Sequence, residues 1–417
     1  MPDNLGLQFN GHDIEPRIGI AYRADSHTVV RTGFGISYTP FQDNNYAYNY
    51  PVRQNNAFNS LNSYTPALLA NGSPATLAAG FPAPILAQVP TSGVLPAQTN
   101  QAYVYVNKGY RDPYVMSYNL TVERQFGDWV GTISYVGNQG REIPGNYNMN
   151  AGFVAGAGSK GQPFYNLYGT TSSIELLPKQ TVSNYNALQA RLRHNFSSGF
   201  QVSSSLSWQK SMGYNSSGGG LGGYSFYLDF QRNYSPLSWN RTMTIANSAL
   251  YEFPFGKNKP YLQDSRAGWL LGGWEIGAIS FIESGTPLFF TASSSQLNAP
   301  SNTQVANQVG PFRRLKGIGI NQLWFDTTSF AQPSGPALGN MGKDVYSGPG
   351  SFSFDGDMMR NFPIYETMTL QLRADAFNAF NHPIFNNPST SLTSSSFGHV
   401  TGSGGGRALQ ISATLTF

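Results

Sequence analysis

The side chains that could support chemistry in this chain are few and widely separated. Its five histidines lack the short spacing, to one another or to a carboxylate, that zinc sites show; they are His12, His27, His194, His382 and His399. Because the chain has no cysteine, disulfides and thiolate metal sites are excluded. The sequence therefore predicts neither a metal site nor a cofactor.

Two other motifs fall short of a catalytic or phosphate-binding pattern. Asp355 and Asp357 lie two residues apart, but paired carboxylates that cleave glycosides also need a cleft. The glycine-rich segments Gly218–Gly223 and Gly402–Gly406 do not match the phosphate-loop pattern with its lysine and hydroxyl residue. We therefore expect a polar surface and flexible loop tips at these positions, and no enzyme.

Two segments rich in aromatic and amide side chains are better suited to binding. The aromatic residues are Tyr46, Tyr48 and Tyr50 in the first segment and Tyr224, Phe226 and Tyr227 in the second. Rings stack on sugars and peptides, and amides hydrogen-bond to them. These residues predict a surface for capturing a carbohydrate or a peptide. The alternative is that the rings pack within their own loops.

The composition excludes several protein classes. Asp, Glu, Lys and Arg make up 11% of the 417 residues, against about 25% in an ordinary soluble domain. Aromatic residues reach 14%, too many for a disordered chain, and 46 glycines and 26 prolines disfavour a helical bundle. There is no apolar run of about 18 residues for a membrane helix. The net charge of +4 is scattered, so no nucleic-acid partner is expected.

Apolar and polar residues alternate with a period of two, which predicts an all-β fold. In Ala408–Phe417, for example, Leu409, Ile411 and Leu415 share one face. The pattern predicts about eleven long antiparallel strands: Arg17–Tyr22, Thr28–Tyr38, Tyr114–Phe126, Trp129–Gly137, Asn186–Phe196, Phe200–Trp208, Arg241–Phe253, Trp269–Phe281, Phe352–Met358, Met368–Ala376 and Ala408–Phe417.

The connections between these strands alternate between short and long. Thr39–Pro113, Asn138–Tyr185 and Thr291–Ser351 are long and should share one rim, opposite the short Ser197–Gly199 and Pro363–Thr367. Alternating turns and loops are typical of transmembrane β-barrels, whose apolar face meets lipid. A soluble β-sandwich or propeller is the alternative.

Charged residues of the predicted strands follow the polar register, which a barrel turns toward its lumen. They are Arg31, Glu123, Arg191, Arg193, Glu275, Arg373 and Asp375. The apolar residues expected to face outward are Phe200, Val202, Leu206, Leu370, Leu372, Leu409, Ile411 and Leu415.

Several motifs resemble those of TonB-dependent, Oar-like outer-membrane receptors. They are the sequence PRIGIAYR at Pro16–Arg23, YEFPFG at Tyr251–Gly256, LGGW at Leu271–Trp274, and DAFNAFNHP at Asp375–Pro383 before the closing strand. The resemblance implies location in the outer membrane of a Gram-negative bacterium. It also implies a barrel of about 22 strands around a plug. Residues 1–16 would be a leading segment and residues 17–417 the carboxy-terminal part of the barrel, without plug or signal peptide.

The resemblance also implies the partners and a non-enzymatic role in energy-coupled uptake. Membrane lipid would surround the barrel, and the lumen residues would contact the plug. The plug would connect to an inner-membrane energy-coupling complex. The loops would capture a glycan, a peptide or a chelate, and Phe417 would be an assembly signal. An adhesin or structural barrel without transport, or a soluble carbohydrate-binding protein, are the alternatives. We expect an incomplete barrel, which is an open or weakly sealed antiparallel sheet without a continuous hydrogen-bond ladder between its first and last strands.

Overall fold

The computed structural model describes residues 11–40, 60, 64–69, 72–76, 78, 90–92, 101–106, 110–179, 181–215, 222–263, 265–317, 319–365 and 367–417. Its strands, in chain order, are β1 (Arg17–Arg23), β2 (Thr28–Tyr38), β3 (Tyr103–Val106), β4 (Tyr114–Phe126), β5 (Trp129–Ile143), β6 (Tyr147–Asn148), β7 (Ile174–Leu177), β8 (Thr181–Ser197), β9 (Phe200–Gly213), β10 (Ser235–Pro236), β11 (Met243–Glu252), β12 (Trp274–Glu283), β13 (Pro287–Leu288), β14 (Asn307–Gln308), β15 (Gln322–Leu323), β16 (Phe330–Ala331), β17 (Tyr346–Ser347), β18 (Ser351–Tyr365), β19 (Met368–Phe377), β20 (Ile384–Phe385), β21 (His399–Val400), β22 (Ser403–Gly404) and β23 (Ala408–Thr416).

The short helices are Pro163–Tyr168 and Arg266–Leu271, with 3-10 turns at Gly158–Gly161, Phe230–Asn233 and Thr327–Ser329. No helix in the described ranges has the length and apolarity needed to span a membrane.

Eleven long strands form one antiparallel sheet, which confirms the predicted fold class. The order is β1-β2-β4-β5-β8-β9-β11-β12-β18-β19-β23, so consecutive long strands are always neighbours. We call this sheet the strand wall. Within the described residues, β1 and β23 each pair on one side alone. The expectation of an open sheet is therefore confirmed.

One predicted strand begins later than expected. The interval Trp269–Phe281 was predicted as strand throughout, but Arg266–Leu271 is helical and β12 starts at Trp274. The Ser265 side chain caps this helix by accepting a hydrogen bond from the Gly268 amide. Gly273, at a φ of 74°, then reverses the chain into the strand. The apolar residues of this interval do not alternate strictly, because the interval contains a helix followed by a strand.

The register of the strand wall assigns every strand residue to one of two faces. Paired residues of antiparallel strands point to the same face, and neighbours along a strand point to opposite faces. Glu123 pairs with Thr132, and Thr132 pairs in turn with Arg191 on the next strand, so all three lie on one face. In the same way, Glu275 pairs with Met359, and Met359 pairs with Arg373. We call the face that carries these charges the polar face and the other the apolar face.

The long connections all leave the same edge of the strand wall, which confirms the predicted alternation. They join β2 to β4, β5 to β8, β9 to β11, β12 to β18, and β19 to β23, and we call this side the long-loop edge. The other connections define the short-turn edge. Described residues of the connections 144–179, 222–242, 284–350 and 378–407 pack together, and we call them the loop assembly. Its buried core comprises Phe226, Leu288, Phe290, Val305, Ala306, Trp324, Phe325, Phe330, Met341 and Val400.

Candidate functional site: the polar face and the loop assembly

All seven charged residues predicted for the lumen lie on the polar face. The pairing chains described above place Glu123, Arg191, Glu275 and Arg373 there. Arg31 joins them through its pair Thr121, and Arg193 and Asp375 follow because each lies two residues from a member of the set. The sheet therefore collects onto one surface charges that are hundreds of residues apart in sequence.

Part of this charge is neutralised within the polar face. An Arg31 guanidinium nitrogen lies 3.4 Å from a Glu123 carboxylate oxygen. Arg373 Nε donates to Asp375 Oδ1 at 2.8 Å, and another of its nitrogens lies 3.9 Å from Asp357. Asp357 is thus a polar-face residue that joins the predicted set. Its sequence neighbour Asp355 accepts a hydrogen bond from the Asn378 amide, which fixes the start of a loop.

Two further arginines remain available to a partner. Arg191 and Arg193 are exposed, and their cross-strand neighbours on β9 are Ser205 and Ser203. Neither makes an ion pair with any of the residues that the structure describes. Two arginines beside small serine side chains leave space in which a partner's carboxylates or phosphates can bind the guanidinium groups.

The apolar face is exposed across the whole sheet. On central strands, Leu120 is 51%, Ile133 60% and Trp208 61% exposed. The eight residues predicted to face outward all fall on this face by register. A contiguous apolar surface this wide needs an apolar environment.

The structure corrects the prediction that aromatic residues of the second loop segment capture a ligand. Tyr224, Phe226 and Tyr227 are 7%, 0% and 8% exposed, so their rings are unavailable for stacking. Tyr224 and Tyr227 pack in a small core with Ala151, and Phe226 belongs to the main core of the loop assembly. Burial raises the pKa of Tyr224 to about 12. Tyr46, Tyr48 and Tyr50, the other predicted capture residues, lie outside the described residues.

Buried amides hold the loops of this assembly together. Asn302 Oδ1 accepts from the backbone amides of Tyr227 and Leu228, and its Nδ2 donates to the Gly152 carbonyl at 2.8 Å. One side chain thereby joins three connections of the chain. The hydrogen-bond partners of this amide side chain are therefore other loops.

Exposed aromatic surface occurs elsewhere, on the helix Pro163–Tyr168. Tyr165, Leu167 and Tyr168 are 38%, 69% and 59% exposed, and the Phe164 and Tyr168 rings stack with centroids 6.2 Å apart. Proline at the first helical position starts this helix and Gly169, at a φ of 70°, ends it. This Pro-to-Gly signal in the sequence could have identified the helix.

A cavity of about 680 Å³ lies where β8 and β9 meet the loop assembly. Its lining includes Tyr135, Asn186, Trp208, Lys210, Asn240 and Asp344. Burial raises the pKa of the Asp344 carboxyl from 3.8 to about 6. By register, Tyr135, Asn186, Trp208 and Lys210 belong to the apolar face, so the cavity lies on that side of the strand wall. No sequence motif marks this cavity, because its walls come from distant segments.

No group of three or more side chains suited to hold a metal ion occurs among the residues described.

A comparison with protein-family models matches residues 1–410 to the family described as outer membrane beta barrel domain. A comparison with curated proteins finds no significant match.

Solved structures with a similar arrangement of strands share little sequence with the chain. The outer membrane transporter YddB from Escherichia coli is 9% identical, with a TM-score of 0.48, and the match covers 94% of this chain and 39% of that one. Pseudomonas aeruginosa FpvA bound to heterologous pyoverdines is 10% identical, with a TM-score of 0.44 and coverages of 96% and 32%. The siderophore receptor PiuA from Acinetobacter baumannii is 9% identical, with a TM-score of 0.41 and coverages of 95% and 35%. The chain thus spans under half the length of each.

Proposed function

The chain belongs to the outer membrane beta barrel domain family, and its location is the outer membrane of Gram-negative bacteria. From this premise we propose that the strand wall is part of a receptor-transporter barrel. In this proposal the apolar face meets lipid, the polar face lines the lumen, and the loop assembly covers the external mouth. The protein acts by binding and gated passage of a substrate, without covalent chemistry.

The observation that carries the proposal is the separation of charge from apolar surface. Seven charged residues predicted from sequence share one face, while Ile133 and Trp208 on the other are more than half exposed. Placing an arginine of the polar face against lipid at mid-membrane costs about 2–4 kcal/mol. Only one orientation of the sheet avoids that cost.

The polar face also supports a contact with a plug domain. Arg191 and Arg193 are exposed cations that need a polar or anionic partner in a lumen. We propose that a plug supplies it and transmits energy from an inner-membrane complex, as the sequence resemblance implies. Further strands would pair with β1 and β23, because unpaired backbone groups at membrane depth cost several kcal/mol each.

Single-cysteine labelling tests the orientation, because the chain has no cysteine of its own. In cells that express these 417 residues by themselves, Ser205→Cys on the polar face should react with a water-soluble, membrane-impermeant thiol reagent once the outer membrane is permeabilised. Ile133→Cys on the apolar face should not react. Equal reaction at both positions would contradict the proposal.

An adhesin or structural barrel is the second candidate, favoured by the self-packed loop assembly. Three of the predicted capture residues are buried there, whereas the helix Pro163–Tyr168 presents rings outward. Uptake separates the two functions. Cells with and without the gene are compared for accumulation of labelled ferric chelates, oligosaccharides and oligopeptides, with and without a protonophore. Gene-dependent, protonophore-sensitive accumulation of one class supports transport; its absence from all three favours the adhesin or structural barrel.

A further inference from the structure

The connection between β11 and β12, residues 253–273, is a folded unit at the short-turn edge. Phe255 bridges to Tyr261, and the Gly256 amide donates to the Tyr261 carbonyl at 2.9 Å. Gly268 packs against the Leu262 carbonyl with no room for a Cβ atom. The Ser265 cap and these close contacts hold the helix Arg266–Leu271 in one position. We call this unit the edge helix unit.

Arg360 fastens the helix to the strand wall. It lies on the apolar face, directly opposite Trp274, yet it is only 7% exposed. Its guanidinium donates to the carbonyls of Trp269 and Leu270, the latter at 2.6 Å. These carbonyls lie in the last turn of the helix, where a cation also complements the helix dipole. The Trp274 indole donates to the Leu270 carbonyl as well, at 3.1 Å.

Aromatic rings complete the enclosure of this arginine. The Arg360 guanidinium carbon lies 4.1 Å from the Phe362 ring centroid and 5.8 Å from the Trp269 and Trp274 centroids. Cation–π contacts of this kind gain strength when they are shielded from water. An arginine buried on an otherwise exposed face shows that the edge helix unit folds back over the apolar side of the wall.

The outer surface of this unit remains apolar and exposed. Trp269, Leu270 and Leu271 are 71%, 60% and 46% exposed. Lys257 and Arg266, also exposed, belong to the same unit. Tryptophan and leucine beside basic residues are typical of segments that lie in the boundary between lipid headgroups and acyl chains.

We propose that the edge helix unit is an interfacial anchor, seated in the phospholipid leaflet at the short-turn edge and held there by Arg360. Phospholipid is the occupant because the exposed surface is continuous with the apolar face, from which Trp274 and Arg360 donate hydrogen bonds to the helix. The two cations match the phosphate groups at that depth. The inference rests on the proposed orientation of the apolar face toward lipid.

Nitroxide labels on single cysteines test the anchor in intact outer membranes carrying the 417-residue chain. Leu270→Cys probes the helix, Gln263→Cys the exposed polar part of the same unit, and Ile133→Cys the apolar face. Collision with oxygen, which concentrates in lipid, is compared with collision with a water-soluble nickel complex. We expect Leu270 to favour oxygen as Ile133 does, and Gln263 to favour nickel.

Three other outcomes would each overturn a part of this inference. If the Leu270 label favours nickel while the Ile133 label favours oxygen, the anchor is refuted and the orientation of the wall stands. If the labels at Leu270 and Ile133 both collide more often with the nickel complex, the proposed orientation of the apolar face is refuted, and the anchor is refuted with it. A Leu270 label shielded from both reagents would indicate a protein partner and would also overturn the phospholipid assignment.

The role of Arg360 is tested separately with Arg360→Lys, which keeps the charge but cannot form the same pair of bonds. In this background the Leu270 label should become more mobile and shift toward nickel contact. An unchanged Ile133 label shows that the wall is still folded. An unchanged Leu270 label would refute the role of Arg360 in holding the helix.

Discussion

The strand wall and the loop assembly use the same residue types for opposite purposes. In the wall, Ile133 and Trp208 are more than half exposed, and the seven charged residues predicted for the lumen are gathered on the other face. In the loop assembly, Phe290 and Phe325 are almost fully buried. In the proposed orientation the wall presents its apolar residues to lipid, whereas the loop assembly buries them within its own core.

This difference shows which forces hold each region. Backbone hydrogen bonds between adjacent strands define the wall, and in the proposed orientation its apolar side chains gain stability from the membrane. The loop assembly depends on its own hydrophobic core and on buried amides such as Asn302. A substitution in one region should therefore change the stability of that region and leave the stability of the other unchanged.

The largest effect is expected from truncating the centre of the loop core. Phe290 is 1% exposed and stacks on Phe330 with ring centroids 4.5 Å apart. Phe290→Ala should destabilise the loop assembly by about 3–5 kcal/mol, because burial is lost and a cavity remains. Limited proteolysis of intact cells should cut residues 284–350 faster, while the wall stays resistant.

Phe380→Ala is the matched control, since Phe380 is 65% exposed. It should leave the cleavage rate close to that of the unmodified protein. Simultaneous loss of wall resistance in Phe290→Ala would show that the two regions unfold as one, and the comparison between them would fail.

The next effect concerns the wall. Ile133→Arg places a charge on the apolar face of a central strand and should cost about 2–4 kcal/mol if that position lies at mid-membrane. Two measurements report the loss of stability. They are the folded yield after extraction from outer membranes and the urea concentration at which half of the extracted protein is unfolded. The adjacent Ser134→Arg on the polar face should cost far less. Equal losses for the two variants would refute the assignment of faces.

The sequence predicted the wall well because its signal is local. Alternation with a period of two predicts a face for each residue, and it places Arg373 and Leu372 on opposite faces, as the strand pairing does. The start of β12 was wrong because a short helix before Gly273 continues the apolar run. The burial of Phe226 could not be predicted, since its neighbours in the core, such as Phe289, are distant in sequence.

A third effect depends on pH and belongs to the loop assembly. Because burial raises the pKa of Asp344 to about 6, its charged form destabilises the fold. The assembly should be most stable below pH 4 and lose up to about 3 kcal/mol as pH rises from 4 to 6. Asp344→Asn should remove this loss, and asparagine tolerates the φ of 58° at this position.

The measurement is the melting temperature of the loop assembly for both proteins between pH 4 and 7.5. The two curves should converge near pH 4 and separate toward pH 7.5, with Asp344→Asn higher. Asp326→Asn is the control of opposite sign, because hydrogen bonds from Thr328 lower the pKa of Asp326. That variant should be less stable at pH 7.5.

The smallest effect tests the polar face. The Arg31–Glu123 pair spans 3.4 Å, and its side chains are 49% and 37% exposed, so solvent and salt screen their attraction. In a double-mutant cycle with Arg31→Gln and Glu123→Gln, the coupling energy should be under about 1 kcal/mol and should shrink in high salt. A coupling of several kcal/mol, insensitive to salt, would mean that water is excluded from this part of the polar face. The pair would then be buried against another protein segment in the assembled barrel, and its coupling would report that contact directly.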